Sequence, residues 1–152
     1  MNMRLFALCM LSARLWAAEP FLGTWDMDLS KSRIDNPELL KRVEMTFTAK
    51  DAGEFGWSDT QYRVDGRVLK REIVLSLDGV PRPVPERPGV TMVWTRLDPA
   101  TIQRINKRAD KVSLIAIFSV YPDGETLVQL VHVFDANGKL SADETVFWNR
   151  RK

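Results

Sequence analysis

The stretch Arg42-Val-Glu-Met-Thr-Phe-Thr48 decides the fold. Val43, Met45 and Phe47 alternate with polar residues, a period of two that suits a half-buried strand and not a helix. The same period continues outward. Residues 58–64 put Tyr62 and Val64 on one face, and residues 69–77 carry Ile73, Leu75 and Leu77 together. Residues 90–97, 101–107, 112–121, 126–134 and 142–150 read as further strands. Between them stand Asp65-Gly66, Asp78-Gly79, Asp123-Gly124 and Asn137-Gly138. These pairs tolerate the positive φ of tight hairpins. Asp51-Ala-Gly53 and Asp98-Pro99 mark two more breaks.

The expected fold is all-β, an antiparallel up-and-down meander of about eight to ten strands closed into a small barrel. Two stretches depart from it. Asn36-Pro37-Glu38 predicts a short helical turn near residues 36–41, with proline at the first helical position. Residues 80–89 hold four prolines and predict a stiff extended loop, because proline removes ladder donors.

The N-terminus reads differently. A basic start at Arg4, the apolar run of residues 5–13 and the small pair Ala17-Ala18 predict a signal peptide over residues 1–18. The barrel domain is then 19–152, periplasmic or secreted. Arg14 interrupts the apolar run and leaves a buried N-terminal helix as the alternative. The run is too short to span a bilayer, which takes about 20 apolar residues, so no stable membrane insertion is expected after cleavage. Cys9 lies in the same run and is the only cysteine.

Charge points away from polyanions. Arg4 and Arg14 are the only charged residues before position 19, so residues 19–152 carry 20 basic and 20 acidic side chains. No nucleic-acid partner is expected from that balance.

The run Phe21-Leu-Gly-Thr-Trp25, continued as Asp-Met-Asp-Leu-Ser-Lys-Ser32, resembles the opening of lipocalin-type (calycin) barrels. It is similar to exported bacterial proteins described as lipocalin-like and mostly uncharacterised. Residues 121–126, 135–139 and 145–148 resemble their closing strands. The resemblance implies that Gly23 permits a close strand approach and that Trp25 plugs one barrel end. It also implies a late arginine packed over that indole as a cation–π lid. Arg150 and Arg151 are the two positions available, and Arg150 is grouped with Gly23 and Trp25 as the plug.

Chemistry is sparsely signalled. His132 is the only histidine, so a metal site built from several imidazoles is excluded. No catalytic set, metal site or cofactor is expected. Glu72, Asp143 and Glu144 read as solvated strand positions, and Arg104, Lys107, Arg108 and Lys111 as a solvated hairpin. The preferred function is binding of a small apolar ligand inside the barrel. The expected interior positions are Met27, Met45, Phe47, Tyr62, Ile73, Trp94, Phe118 and Leu130. Residues 112–134 are apolar on both faces, so a cover is expected: residues 30–40, the proline loop, or a second copy in a homodimer. That last option makes a non-enzymatic interaction module the alternative function.

Overall fold

A computed structural model describes residues 19–152. The expected signal segment and Cys9 lie outside the described residues. Ten strands follow in chain order: β1 (Gly23–Met27), β2 (Leu40–Ala49), β3 (Glu54–Arg63), β4 (Val68–Ser76) and β5 (Arg82–Pro83), then β6 (Val90–Asp98), β7 (Thr101–Arg108), β8 (Lys111–Val120), β9 (Thr126–Phe134) and β10 (Leu140–Arg150). All neighbours are antiparallel. The sheet order is β4-β3-β2-β1-β10-β9-β8-β7-β6-β5. First and last strands therefore pair, with Trp25 opposite Arg150.

The sheet curls into a half-barrel whose seam lies between β4 and β5–β6. At one end of the seam the Gly79 N–H donates to the Trp94 carbonyl at 2.9 Å, beside an isolated Asp78–Thr95 bridge. Pro83 sits on the edge strand β5, where its missing donor leaves no rung of the ladder unmade.

The turns follow the sequence chemistry. Gly66 and Gly138 take φ of 86° and 80°. At the second of these turns, Asp135 Oδ1 accepts the N–H groups of Asn137 and Lys139. The β7–β8 turn differs: Ala109 (φ 46°) and Asp110 (φ 61°) hold left-handed backbone without a glycine. The expected helical turn is confined to Pro37–Leu39, a 3-10 turn, and Leu40 already begins β2. Pro37 opens it as expected. Asn36, however, makes no side-chain cap and is itself left-handed, with φ 53°.

Parity sorts the interior. Trp25, Val43, Met45, Phe47, Ile102 and Phe118 are all buried. An aromatic chain crosses the barrel from Phe21 to Phe47 (5.9 Å between centroids), Phe118 (6.4 Å), Trp94 (5.4 Å) and Trp57 (6.1 Å). One end is thus solid. Arg150 caps it, with its guanidinium 4.1 Å from the Trp25 ring centroid. The same guanidinium donates to the carbonyls of Gly124, Leu22 and Pro20 at 2.6, 2.5 and 2.7 Å. Gly23 has φ 119°, and a β-carbon there would lie 3.0 Å from Arg150 Nη1. Glycine is needed at that position for both reasons. The choice left open between two arginines is settled by strand parity: Arg151 turns outward to Asp26 and Glu44.

Candidate functional site

The other end of the barrel is hollow. A cavity of about 340 Å³ lies there. Its lining mixes apolar side chains, among them Met27, Ile34, Val43, Leu114, Val131 and Val133, with the polar Asp59, Gln61, Arg63, Arg71, Arg104 and Gln129. Trp148 also faces the cavity, and its indole N–H donates to Gln129 Oε1 at 3.1 Å.

The β1–β2 connection forms the rim, and Asp28 organises its start. Asp28 Oδ1 accepts the Ser30 N–H at 3.1 Å and the Ser30 hydroxyl at 2.6 Å. These bonds, the Ser30 hydroxyl foremost, hold the Asp28 carboxyl down to about 2. Ser32 Oγ donates to the Asp28 carbonyl at 2.7 Å and accepts the Phe147 N–H at 3.0 Å. Arg33 then pairs with Thr145 through both backbone bonds. The chain is thereby carried on along β10 after β1 ends. Ile34, Asp35, Asn36 and Leu39 follow at the cavity mouth. Glu144 Oε1 accepts the Asp35 N–H at 3.2 Å and ties this rim to β10.

The polar lining holds two buried charged residues, Asp59 and Arg104, while Arg71 reaches the surface. Arg71 donates to both Asp59 oxygens, at 3.2 and 2.6 Å. Arg104 is 7% exposed, and its guanidinium carbon lies 5.7 Å from the ring centroids of both Trp57 and Trp94. Burial, with help from the neighbouring Arg71, pushes the Arg104 guanidinium down to about 10. It is still charged at neutral pH. Arg104 thus belongs to the interior, not to the solvated hairpin expected for it.

The expected interior residues divide. Met27 lines the cavity. Met45, Phe47, Trp94 and Phe118 point inward but fill the solid core. Ile73 packs against that core and lines the β4–β6 seam. Two expectations are corrected. Tyr62 faces outward: it stands opposite Arg42 across the β2–β3 pair and its hydroxyl donates to Glu44 at 3.1 Å. Leu130 also faces outward and is 40% exposed. Asp59, Arg71, Arg104 and Glu144 were not expected at the site. The usable signal was parity, since Asp59 shares a face with Trp57, Arg71 with Ile73, and Arg104 with Ile102.

The remaining acidic positions lie outside. Glu72 pairs with Lys70 at 2.5 Å, and Asp143 with Arg33 at 3.1 Å. His132 Nδ1 lies 3.4 Å from Asp143 Oδ1 on the outer face. Among the described residues no cluster of His, Cys, Asp and Glu is arranged to hold a metal ion, and no helix is long and apolar enough to cross a membrane.

No family model matches the chain, and no curated protein matches it. Solved structures do. Fatty-acid-binding protein 1 of Echinococcus granulosus superposes with a TM-score of 0.57 at 16% identity, covering 88% of this chain and 99% of that one. The Schistosoma mansoni fatty acid binding protein, solved in complex with arachidonic acid, gives 0.57 at 13%, covering 88% and 97%. Lipid binding protein 8 of Caenorhabditis elegans gives 0.59 at 10%, covering 89% and 98%. At these identities the likeness is one of fold: a ten-stranded antiparallel meander of the lipocalin (calycin) kind.

Proposed function

We propose that this protein binds a small apolar molecule with a polar end in the cavity at the hollow end of the barrel. The observation that carries this reading is a cavity lined by both apolar and polar side chains. An apolar body would lie against Met27, Val43, Leu114 and Val131, and the polar end would face Gln61 and Arg63. About 340 Å³ is near the lower bound of ordinary ligand pockets, roughly 300–1,000 Å³, so a compact ligand fits best. The fold likeness to fatty-acid-binding proteins supports a carrier role over catalysis.

Native mass spectrometry of the protein purified from cells tests the reading. An added mass that disappears on denaturation is expected. A chain mass alone, with no uptake from a panel of apolar compounds, would overturn it. Export through residues 1–18 belongs to the same proposal, and the intact mass checks it by showing whether those residues are lost.

A second reading is favoured by the outer face of β8 and β9. Leu130 stands exposed there opposite Ile117. Neither residues 30–40 nor the proline loop lies over that stripe; the first follows the cavity rim and the second the seam. A homodimer through this stripe would show as a doubled mass in sedimentation that Leu130→Glu returns to one chain.

A further inference from the structure

Beside the main cavity, the β4–β6 seam holds a separate cleft of about 80 Å³ roofed by Val84, Pro85, Glu86 and Arg87. Five buried side-chain polar atoms lack a hydrogen-bond partner among the described residues, and three of them belong to residues lining this cleft. They are Trp57 Nε1, Arg104 Nε and Asn106 Oδ1. Their residues are 5%, 7% and 6% exposed. A buried polar group without a partner keeps its full desolvation penalty, so three on residues around one small space are not what folding alone would retain.

The charges there are also unbalanced. Arg71 is neutralised by Asp59, and Glu72 by Lys70. Arg87 and Arg104 have no ion-pair partner among the described residues, although both line the cleft. Glu86, exposed on the roof, is the remaining acidic group. Two donors, Trp57 Nε1 and Arg104 Nε, and a second unpaired guanidinium, that of Arg87, therefore belong to residues lining one small cleft. A single planar anionic group suits such a space.

We infer that the cleft is a carboxylate-binding site, with Arg104 Nε and Trp57 Nε1 donating to the anion and Asn106 Oδ1 accepting from a donor beside it. This site is distinct from the apolar cavity and does not depend on its occupancy. Arg71 and Arg104 line both spaces, however. The carboxylate could thus be a free small acid or the charged end of a longer molecule lying in the cavity. The chemistry in the cleft is the same.

The test follows the Trp57 indole N–H signal in a nitrogen–proton correlation spectrum, identified by its loss in Trp57→Phe. Acetate and octanoate are titrated separately, with octanol as the neutral control. A saturable shift with either acid and none with octanol is expected. Acetate acting alone or with octanoate assigns a free small acid; octanoate alone assigns the charged end of a longer ligand. Arg104→Met should weaken the response by about tenfold or more, the loss of one charge-assisted bond. Arg108→Met, which removes an exposed neighbouring charge, should leave it unchanged. Asn106→Asp keeps the side-chain shape and should also abolish it, which covers failure of Arg104→Met to fold. No shift with either acid, or a shift that survives both Arg104→Met and Asn106→Asp, would overturn the assignment. Acid binding without any apolar uptake would leave this site standing while the cavity reading failed.

Discussion

The two ends of the barrel interior are built on opposite terms. At the solid end, Phe21, Trp25, Phe47 and Phe118 bury their rings, and Arg150 has three carbonyl acceptors. At the hollow end the interior carries Asp59, Arg104 and Asn106, and Arg104 and Asn106 each leave a polar atom unmet. The first end is packed with aromatic rings; the second is hollow and leaves more of its buried polar atoms unmet. Proteins keep that kind of local deficit where a partner molecule supplies what is missing. On the proposed reading the solid end is the stabilising half, and the hollow end and its seam are the ligand-binding half.

The contrast breaks most visibly at the plug. Trp25→Ala should cost about 3–5 kcal/mol in chemical denaturation, since it opens a large cavity in a fully buried site. A loss below 1 kcal/mol would mean that this end is not the stabilising one. Arg150→Met should cost about 2 kcal/mol by leaving buried carbonyls without their donor. At the other end, Arg104→Met should have the opposite sign. Removing an unpaired buried charge should raise stability by about 1 kcal/mol while ligand response falls.

Smaller effects sharpen the picture outside the interior. Ala109→Asn combined with Asp110→Gly should add about 1 kcal/mol, because both positions already hold left-handed backbone. Thermal melts would show a rise of a few degrees. The smallest effect is acid-dependent. The Arg151 guanidinium, aided by Arg42 and the Tyr62 hydroxyl, holds the Glu44 carboxyl down to about 2 from its ordinary 4.5. A lowered carboxylate contributes stability that is complete above the ordinary value and is lost as pH falls toward the folded one. Glu44→Gln should therefore lower the melting temperature slightly at pH 7 and flatten its decline between pH 4.5 and about 2, where the two proteins converge.

What could be read from the chain follows the same division. Strand periodicity and Asp-Gly turns reveal the meander, because half-buried strands and positive-φ turns leave strong local marks. The opening Gly23-Thr-Trp25 marks the plug through its resemblance to lipocalin-type barrels. The hollow end was hidden, because the alternation rule sends charged residues to solvent. Arg104 sits in Thr-Ile-Gln-Arg-Ile-Asn, where Ile102 and Ile105 have opposite parity and cannot both face inward. Leu130 was misplaced because β9 is apolar on both faces, so parity carries no information there. Tyr62 was misplaced because its strand was begun at Ser58; including Trp57 would have set the opposite parity. The seam is a long-range property of β4 and β6 and leaves no local mark.

The cavity at the hollow end is open to a direct test by titration. A fluorescent apolar probe should bind the protein saturably at one site per chain, and Val146→Trp, which fills the cavity from β10, should abolish binding while leaving the fold intact by circular dichroism. Binding that persists undiminished in Val146→Trp, or no saturable binding to the parent protein, would contradict it.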